Sequence, residues 1–271
     1  MSQVPVEPGV AVDRVRLGSV VAYHLQPSSA LRRSVLYFHG GGYRMGTAES
    51  FVGYCSRLAR ELSSHLFVVD YRLAPEHPFP AAFDDALEAY IAVVNKQTSP
   101  VLVAGDSAGG GLAAALMLEV SRRGLPRPAA GILLCPWVDM RIRADSYQTC
   151  ASTDLLWSAE AAGDAADMYL AGHDASDPRV SPALGNWTNQ PPLLVQASGA
   201  EVLRDDARAI ASSAAAAGVL VTYREFDDVP HVWHYGYATD AAAEAAIELI
   251  GQFVERVPVE PVPEIPSAIR S

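Results

Sequence analysis

Short apolar stretches alternate with longer amphipathic stretches along most of the chain. The short stretches are rich in β-branched residues and lie between turn-forming residues, which is the pattern of β-strands. Several are apolar at consecutive positions, as expected for strands of a parallel sheet that is covered on both faces. Strands are predicted at residues 19–23, 34–38, 66–70, 101–104, 131–134, 193–197 and 220–225.

The longer stretches repeat apolar residues every three or four positions, as amphipathic helices do. Alternating strands and helices predict an α/β fold, in which helices cover both faces of a mostly parallel sheet. The predicted helices lie near residues 51–62, 81–94, 108–121, 158–170, 205–217 and 239–254.

Residues 139–192 interrupt this alternation. They contain the predicted helix 158–170, with Ser158 as its N-cap, but no convincing strand. A long insertion without strands is typical of a lid or a binding element. We interpret residues 139–192 as a small helical cap on a single domain of residues 1–271. The proline-rich residues 257–271 are predicted to form a loose C-terminal tail.

The charge balance and the cysteines narrow the function classes. The chain has 20 Lys and Arg residues against 31 Asp and Glu residues, a formal net charge of −11. Nucleic acids and anionic membranes bind basic surfaces, so we expect neither as a partner. Cys55, Cys135 and Cys150 lack the spacing of a zinc site and the even number of a disulfide framework. With no signal-peptide pattern at residues 1–8, we expect buried thiols in a cytoplasmic protein.

Ser107 is a candidate nucleophile. It is the central residue of a G-x-S-x-G pattern at residues 105–109, after one predicted strand and directly before a predicted helix. The sharp turn holds the serine in a strained backbone conformation, and the glycines leave room for the neighbouring elements. The hydroxyl then projects above the sheet, at a helix N-terminus that favours negative charge. The structural alternative is an ordinary glycine-rich turn with a capping serine.

A glycine triplet at residues 40–42 follows the predicted strand 34–38 and His39. Consecutive glycines allow backbone N–H groups to turn toward a ligand. Such a loop can supply oxyanion-hole donors together with the N–H of Ala108, the residue after the nucleophile. A phosphate-binding loop is the alternative, but the chain has no GxxxxGK[ST] or GxGxxG pattern, and Lys96 is its only lysine.

A third stretch, DYRLAPEHPFPAA at residues 70–82, is expected to have a structural role. In this order, the HGGG loop, this stretch and the GDSAGG sequence resemble the hormone-sensitive-lipase-type carboxylesterases of the α/β-hydrolase superfamily. The resemblance runs from about residue 36 to the histidine after Pro230. It implies an α/β-hydrolase fold, a Ser–acid–His triad, no cofactor or metal, and a small-molecule ester of short to medium acyl chain as substrate. It also implies that Gly41, Gly42 and Ala108 supply the oxyanion-hole donors.

His231 is the candidate general base. In this fold the order of the triad along the chain is serine, acid, histidine, and only His173, His231 and His234 follow Ser107. His231 lies in a loop just after the last predicted strand, and the resembled family places its histidine in a similar Pro-His loop. His234 is the competitor, although packing or capping is the more common role of a histidine near a helix start. A His-x-x-His metal site has no third ligand at metal spacing here.

The acid departs from the pattern of the resembled family, which commonly carries Asp-Pro-Leu-x-Asp at this point. Aligning residues 203–205 with the end of that motif places Glu201 at the position of the catalytic aspartate. Glutamate can hold the histidine tautomer and stabilise the imidazolium as aspartate does. Asp205 remains the alternative acid, with helix capping as its structural role.

Two other functions remain open at this point. A catalytically silent small-molecule-binding protein on the same fold is disfavoured. The related hormone receptors have lost the catalytic histidine, whereas this chain has His231 at that position. The sequence does not distinguish an esterase from an amidase, lactonase or deacetylase with the same triad, because the shape of the pocket determines which substrate is cleaved. The resemblance also suggests a homodimer, formed through the edge strand or the last helix.

Overall fold

The computed structural model describes residues 4–29, 33–96 and 99–258, and within them the chain forms an eight-stranded sheet flanked by helices. The order of the strands across the sheet is β1-β2-β4-β3-β5-β6-β7-β8. Strands β3 to β8 run parallel to one another, whereas β2 is antiparallel to both β1 and β4. The strands are β1 (Val10–Leu17), β2 (Val20–Pro27), β3 (Ser34–Phe38), β4 (His65–Val69), β5 (Val101–Asp106), β6 (Ala130–Leu134), β7 (Leu193–Ser198) and β8 (Val221–Phe226).

Helices cover both faces of the sheet, and the sheet separates the two main layers of the apolar core. The helices are α1 (Ala48–Glu61), α2 (Ala81–Lys96), α3 (Ala108–Arg122), α4 (Ser146–Thr149), α5 (Ala159–Leu170), α6 (Arg204–Ala216) and α7 (Ala241–Arg256). Helices α1 and α7 pack on one face, and α2, α3 and α6 pack on the other. Every residue of β3, β5, β6 and β7 is buried, which explains why these strands are apolar at consecutive positions. The α/β-hydrolase fold predicted from the sequence is confirmed.

One strand was missing from the sequence prediction. Strand β1 alternates polar and apolar residues, and most of its side chains are at least partly exposed because it lies at the edge of the sheet. It pairs with β2 along its whole length, and this pairing extends β2 to Pro27, beyond the predicted end at residue 23. A polar edge strand gives a weaker pattern than a buried central strand.

Residues 135–192 connect β6 to β7 and contain α4, α5 and a 3-10 helix at Pro182–Leu184, without a strand. The predicted N-cap of α5 is present, because the Ser158 hydroxyl accepts a hydrogen bond from the N–H of Ala161 at 3.1 Å. Among the described residues, no helix is both long enough and apolar enough to cross a membrane. Most of the predicted tail, residues 259–271, lies outside the described residues.

The parallel strands bring several loops to one edge of the sheet. Residues 39–47 follow β3, Ser107 follows β5, residues 199–203 follow β7 and residues 227–232 follow β8. Because parallel strands end at the same edge, these loops converge there, which is where α/β sheets bind their ligands.

Candidate active site

Ser107 occupies a strained turn between β5 and α3. Its backbone angles are φ 51° and ψ −121°, which is unusual for a residue other than glycine. The Ser107 N–H donates to the carbonyl of Leu134 at 2.8 Å, and its carbonyl accepts from the N–H groups of Gly111 and Trp137 at 3.1 and 2.9 Å. These bonds to two neighbouring segments hold the strained conformation in place.

The two glycines of the G-x-S-x-G pattern are required by close backbone contacts. A Cβ atom on Gly105 would lie 2.2 Å from the carbonyl oxygen of Gly109. A Cβ atom on Gly109 would lie 2.0 Å from the carbonyl oxygen of Phe38. Any side chain at either position would therefore push apart the strands and the helix that hold Ser107.

His231 lies in the loop after β8 and reaches the Ser107 hydroxyl. Its Nε2 atom is 3.0 Å from the Ser107 hydroxyl oxygen. The backbone beyond it turns sharply, with Val232 in the left-handed region at φ 50°. The N–H of Val232 donates to the Cys135 sulfur at 3.4 Å, which fixes this turn against the end of β6.

Glu201 follows β7 and is fully buried. One carboxylate oxygen, Oε2, accepts a hydrogen bond from Nδ1 of His231, and the other, Oε1, accepts from the N–H of Ser198 at 2.8 Å. Burial by itself lowers the pKa of His231, but the charge and the hydrogen bond of Glu201 outweigh burial and raise that pKa above its ordinary value. A proton on Nδ1 leaves Nε2 free to accept the proton of Ser107.

The two sequence alternatives lie elsewhere. His234 is completely buried, and its Nε2 atom bonds to Oε1 of Gln196 at 2.7 Å. Burial lowers the pKa of His234 to about 3, which keeps the ring neutral. Asp205 is engaged by the guanidinium groups of Arg204 and Arg208 on its own helix, at 3.1 and 3.0 Å.

The third histidine after the serine, His173, bonds to Asp177 at 2.8 Å. Among the described residues, the hydrogen-bonded chain from Ser107 therefore runs through His231 to Glu201. Its order along the sequence is the order expected for this fold.

The glycine loop after β3 carries peptide N–H groups with a defined direction. Gly41 and Gly42 have φ values of +120° and +62°, which favour glycine. The Gly40 carbonyl is bonded to Nδ1 of His39 at 2.7 Å, and the Gly41 carbonyl accepts from the N–H groups of Arg44 and Met45. In a trans peptide the N–H points opposite to the carbonyl, so the N–H groups of Gly41 and Gly42 point away from these bonds.

Ala108 completes this set. Its N–H belongs to the peptide whose carbonyl, that of Ser107, is held by Gly111 and Trp137. The N–H lies in the first turn of α3, where it has no partner within the helix. A Cβ atom on Gly40 would lie 3.2 Å from Cβ of Ser107, so the glycine loop runs directly beside Ser107.

A buried polar group that the sequence analysis did not single out supports this loop. The carboxylate of Asp106 accepts hydrogen bonds from the hydroxyls of Tyr37 and Tyr235 and from the backbone of Gly40. Burial raises the pKa of Asp106, and these hydrogen bonds offset the effect only in part. In the sequence, the one indication of a role for Asp106 is its position directly before Ser107. No pattern identifies the two tyrosines as its partners, and one of them lies 129 residues further on.

Among the described residues, one group of side chains brings three metal-ligand atoms within 4.8 Å of one another: Cys135, Glu201 and His231. Glu201 and His231 are already bonded to each other, and burial raises the pKa of the Cys135 thiol well above its ordinary value. A neutral thiol is a poor metal ligand. We therefore interpret this group as the acid–histidine pair with a buried thiol packed beside it.

Comparison with known proteins agrees with this geometry. Residues 35–235 match the family model described as alpha/beta hydrolase fold. An acetyl-hydrolase of Streptomyces hygroscopicus is 38% identical over 244 residues, which cover 89% of this chain and 82% of that protein. An esterase of Acinetobacter venetianus is 29% identical over 92% of this chain and 83% of its own length.

A solved structure gives the same result. The crystal structure of an esterase from the bacterial hormone-sensitive lipase family superposes with a TM-score of 0.90 at 36% sequence identity. The superposition covers 93% of this chain and 86% of the other. The chain belongs to the hormone-sensitive-lipase-type carboxylesterases of the α/β-hydrolase superfamily.

Proposed function

We propose that this chain is a serine carboxylesterase in which Ser107 is the nucleophile, His231 the general base and Glu201 the triad acid. The observation that carries the proposal is the chain of hydrogen bonds from the Ser107 hydroxyl through His231 to the buried Glu201 carboxylate. Relatives named acetyl-hydrolase and esterase support ester hydrolysis as the reaction.

The first half of the reaction acylates the enzyme. The Ser107 oxygen attacks the ester carbonyl carbon while its proton passes to Nε2 of His231. Glu201 stabilises the resulting imidazolium through Nδ1. The negative charge on the former carbonyl oxygen is stabilised by the N–H groups of Gly41, Gly42 and Ala108, each worth about 3 kcal/mol in the transition state. The ester C–O bond then breaks, and the leaving alcohol takes the proton from His231.

The second half releases the acid. A water molecule gives a proton to Nε2 of His231 as its oxygen attacks the acyl-serine carbonyl. When this second tetrahedral intermediate breaks down, the bond to Ser107 is cleaved and the proton returns to the serine oxygen. The same backbone N–H groups stabilise both intermediates, and no cofactor or metal takes part in these steps.

We propose short to medium acyl chains as the substrate class. The ring of Trp157 lies against the glycine loop: a Cβ atom on Gly42 would be 2.9 Å from the edge of that ring. Trp157 in turn packs edge to face on Trp137, with 5.9 Å between ring centroids. A large ring supported from behind restricts the space beside the oxyanion donors. The name of the Streptomyces relative is consistent with a small acyl group.

Residues 139–192 are proposed to form the cap of this site. They form no strand, and they carry Trp157 to the glycine loop and α5 to the same side. Leu155 and Leu156 directly before Trp157 are exposed, which is consistent with an apolar rim around the entrance to the site.

The test is hydrolysis of p-nitrophenyl esters of increasing acyl length, with acetamides and lactones measured in parallel. We expect turnover of acetate to butyrate esters, and a fall in kcat of roughly 10⁴- to 10⁶-fold in Ser107→Ala with the fold intact. Ester turnover that persists in Ser107→Ala would contradict the assignment. Faster turnover of amides or lactones than of esters would replace the proposed substrate class while keeping the triad.

The expected homodimer and cytoplasmic location also belong to this proposal. Strand β8 is at the edge of the sheet, where a second copy could extend it. Light scattering of the purified chain tests the dimer, with a mass of twice 28.9 kDa as the expected result. The three buried thiols, free in the structure, favour a reducing compartment. Cell fractionation tests that location.

A further inference from the structure

Asp154 connects the proposed cap to the loop that carries Glu201. It lies between α4 and α5, and its Oδ2 atom accepts a hydrogen bond from the N–H of Val202 at 2.9 Å. Its Oδ1 atom accepts from the N–H groups of Leu156 and Trp157, both at 3.0 Å. One carboxylate therefore holds the residue next to Glu201 with one oxygen and the Trp157 segment with the other.

Other bonds from the same segment reach the Glu201 loop. The Thr153 hydroxyl donates to the carbonyl of Ala200 at 2.8 Å. The Ser146 hydroxyl donates to the carbonyl of Val202 at 2.6 Å. The residues on both sides of Glu201 are thus bonded to side chains that come from the connection between β6 and β7.

The opposite end of the segment touches the glycine loop. Trp157 lies against Gly42, and the guanidinium carbon of Arg44 lies 5.8 Å from the centre of the Trp157 ring. Residues 153–157 therefore span the distance between the proposed triad acid and the proposed oxyanion donors.

Asp154 also contributes charge near His231. Burial lowers the pKa of His231, Glu201 raises it most strongly, and the negative charges of Asp154 and Asp106 raise it further. The other titratable groups that face this ring are His234, which burial keeps neutral, and the buried Cys135 thiol. Asp154 is thus one of three carboxylates that favour the imidazolium.

We propose that Asp154 is a positioning residue of the esterase site: its hydrogen bonds fix the Glu201 loop relative to Trp157 and the glycine loop. This inference rests on the proposed function. Asp154 does not contact the reacting atoms, so it acts through Glu201 and His231.

The test compares Asp154→Asn with Asp154→Glu and with a control, Asp164→Asn. Asp164 lies on α5 and its side chain is exposed, so its variant removes the same charge from the same cap without the bonds of Asp154. Asparagine at position 154 removes the charge and presents an N–H₂ group to one of the backbone donors. Glutamate keeps the charge but displaces it by one methylene.

We expect Asp154→Asn to lower kcat about tenfold with little change in KM. We expect the acid limb of kcat/KM to move to lower pH by about half a unit, because His231 loses its proton more readily without the negative charge. Asp154→Glu should lower kcat but leave the acid limb in place. Asp164→Asn should change neither quantity. A purely structural role of Asp154 would not move the acid limb.

A second readout separates this proposal from the function itself. The titration of His231, followed by NMR of the protein with ¹³C-labelled histidine, should shift to lower pH in Asp154→Asn whether or not the substrate class is right. A folded Asp154→Asn protein with the titration and kcat of Asp164→Asn would overturn the inference. If Asp154→Asn does not fold, Thr153→Val takes its place. It should lower kcat about threefold at an unchanged acid limb, and unchanged kcat would contradict the positioning role of the segment.

Discussion

The α-carbon of Gly109 packs directly on the carbonyl of Phe38, so that a Cβ atom at Gly109 would lie 2.0 Å from the Phe38 oxygen and 2.6 Å from that of His39. Phe38 is the last residue of β3, and His39 begins the glycine loop. The first turn of α3 and the glycine loop are therefore packed backbone to backbone. The distance between Ser107 and its proposed oxyanion donors depends on the missing side chain at Gly109.

Gly109→Ala is expected to separate these two elements. The added methyl group meets backbone atoms, which move less readily than side chains, so we expect a loss of about 1–3 kcal/mol in the free energy of unfolding. We also expect kcat to fall about 100-fold, because a small displacement of catalytic groups is costly. Denaturant unfolding and ester hydrolysis measure the two effects.

Gly163→Ala is the matched control. Gly163 lies within α5, and a Cβ atom there meets no atom within 4 Å. Because alanine favours a helix over glycine by about 1 kcal/mol, this variant should be as stable as the wild type or more so. Equal stability and activity of the two variants would contradict the packing argument.

The triad acid is tested by exchanging the two candidates. Glu201→Gln should lower kcat about 10⁴-fold, since the amide no longer stabilises the imidazolium or the correct tautomer. Asp205→Asn should keep kcat within about threefold, because Asp205 forms partly exposed ion pairs, which contribute little. A larger loss in Asp205→Asn than in Glu201→Gln would show that the alignment of this segment is wrong.

His234 is predicted to contribute to stability rather than catalysis. Its pKa in the folded protein is about 3, against 6.5 for an ordinary histidine. The unfolded chain therefore binds a proton between pH 6.5 and 3 that the folded chain does not. The stabilisation is fully present above pH 6.5 and is lost as the pH falls toward 3.

His234→Gln removes this titration while keeping a donor near Gln196. In urea unfolding, the slope of the unfolding free energy against pH should decrease by up to about 1.4 kcal/mol per pH unit within that window. The variant should keep kcat at pH 8 within about tenfold of the wild type. An unchanged slope, or loss of activity on the scale of the Ser107→Ala variant, contradicts this role.

Trp157 is predicted to limit the acyl chain. Trp157→Ala should raise the ratio of kcat/KM for p-nitrophenyl octanoate over acetate by about tenfold or more. Leu220→Ala is the control, because Leu220 is exposed directly before β8, at the edge of the sheet opposite the site, and its truncation should leave the ratio unchanged. A ratio that does not change in Trp157→Ala would place the acyl chain elsewhere.

The features predicted well from the sequence are those with a local cause. Strand β3 was predicted with the bounds it has, because a fully buried strand is apolar at every position. The strained turn at Ser107 was predicted from the glycine spacing, since the nearby backbone excludes any Cβ atom at those glycines. The proximity of Ser107, Glu201 and His231 followed from the fold, because parallel strands end at one edge.

Other features depend on contacts between distant parts of the chain. Asp154 lies 48 residues before Val202, and its partners are backbone N–H groups that no sequence pattern identifies. Tyr235 bonds to Asp106 from 129 residues away. The sequence alone also ranked His234 as a competitor of His231, and only the burial of His234 against Gln196 accounts for its different environment.

The most direct test of the account is covalent labelling with a fluorophosphonate, which reacts with an activated serine. We predict one label per chain on the peptide containing Ser107, with no label in Ser107→Ala and at least about 100-fold slower labelling in His231→Ala. Labelling of a different serine, or an equal labelling rate in His231→Ala, would contradict the proposal that His231 activates Ser107.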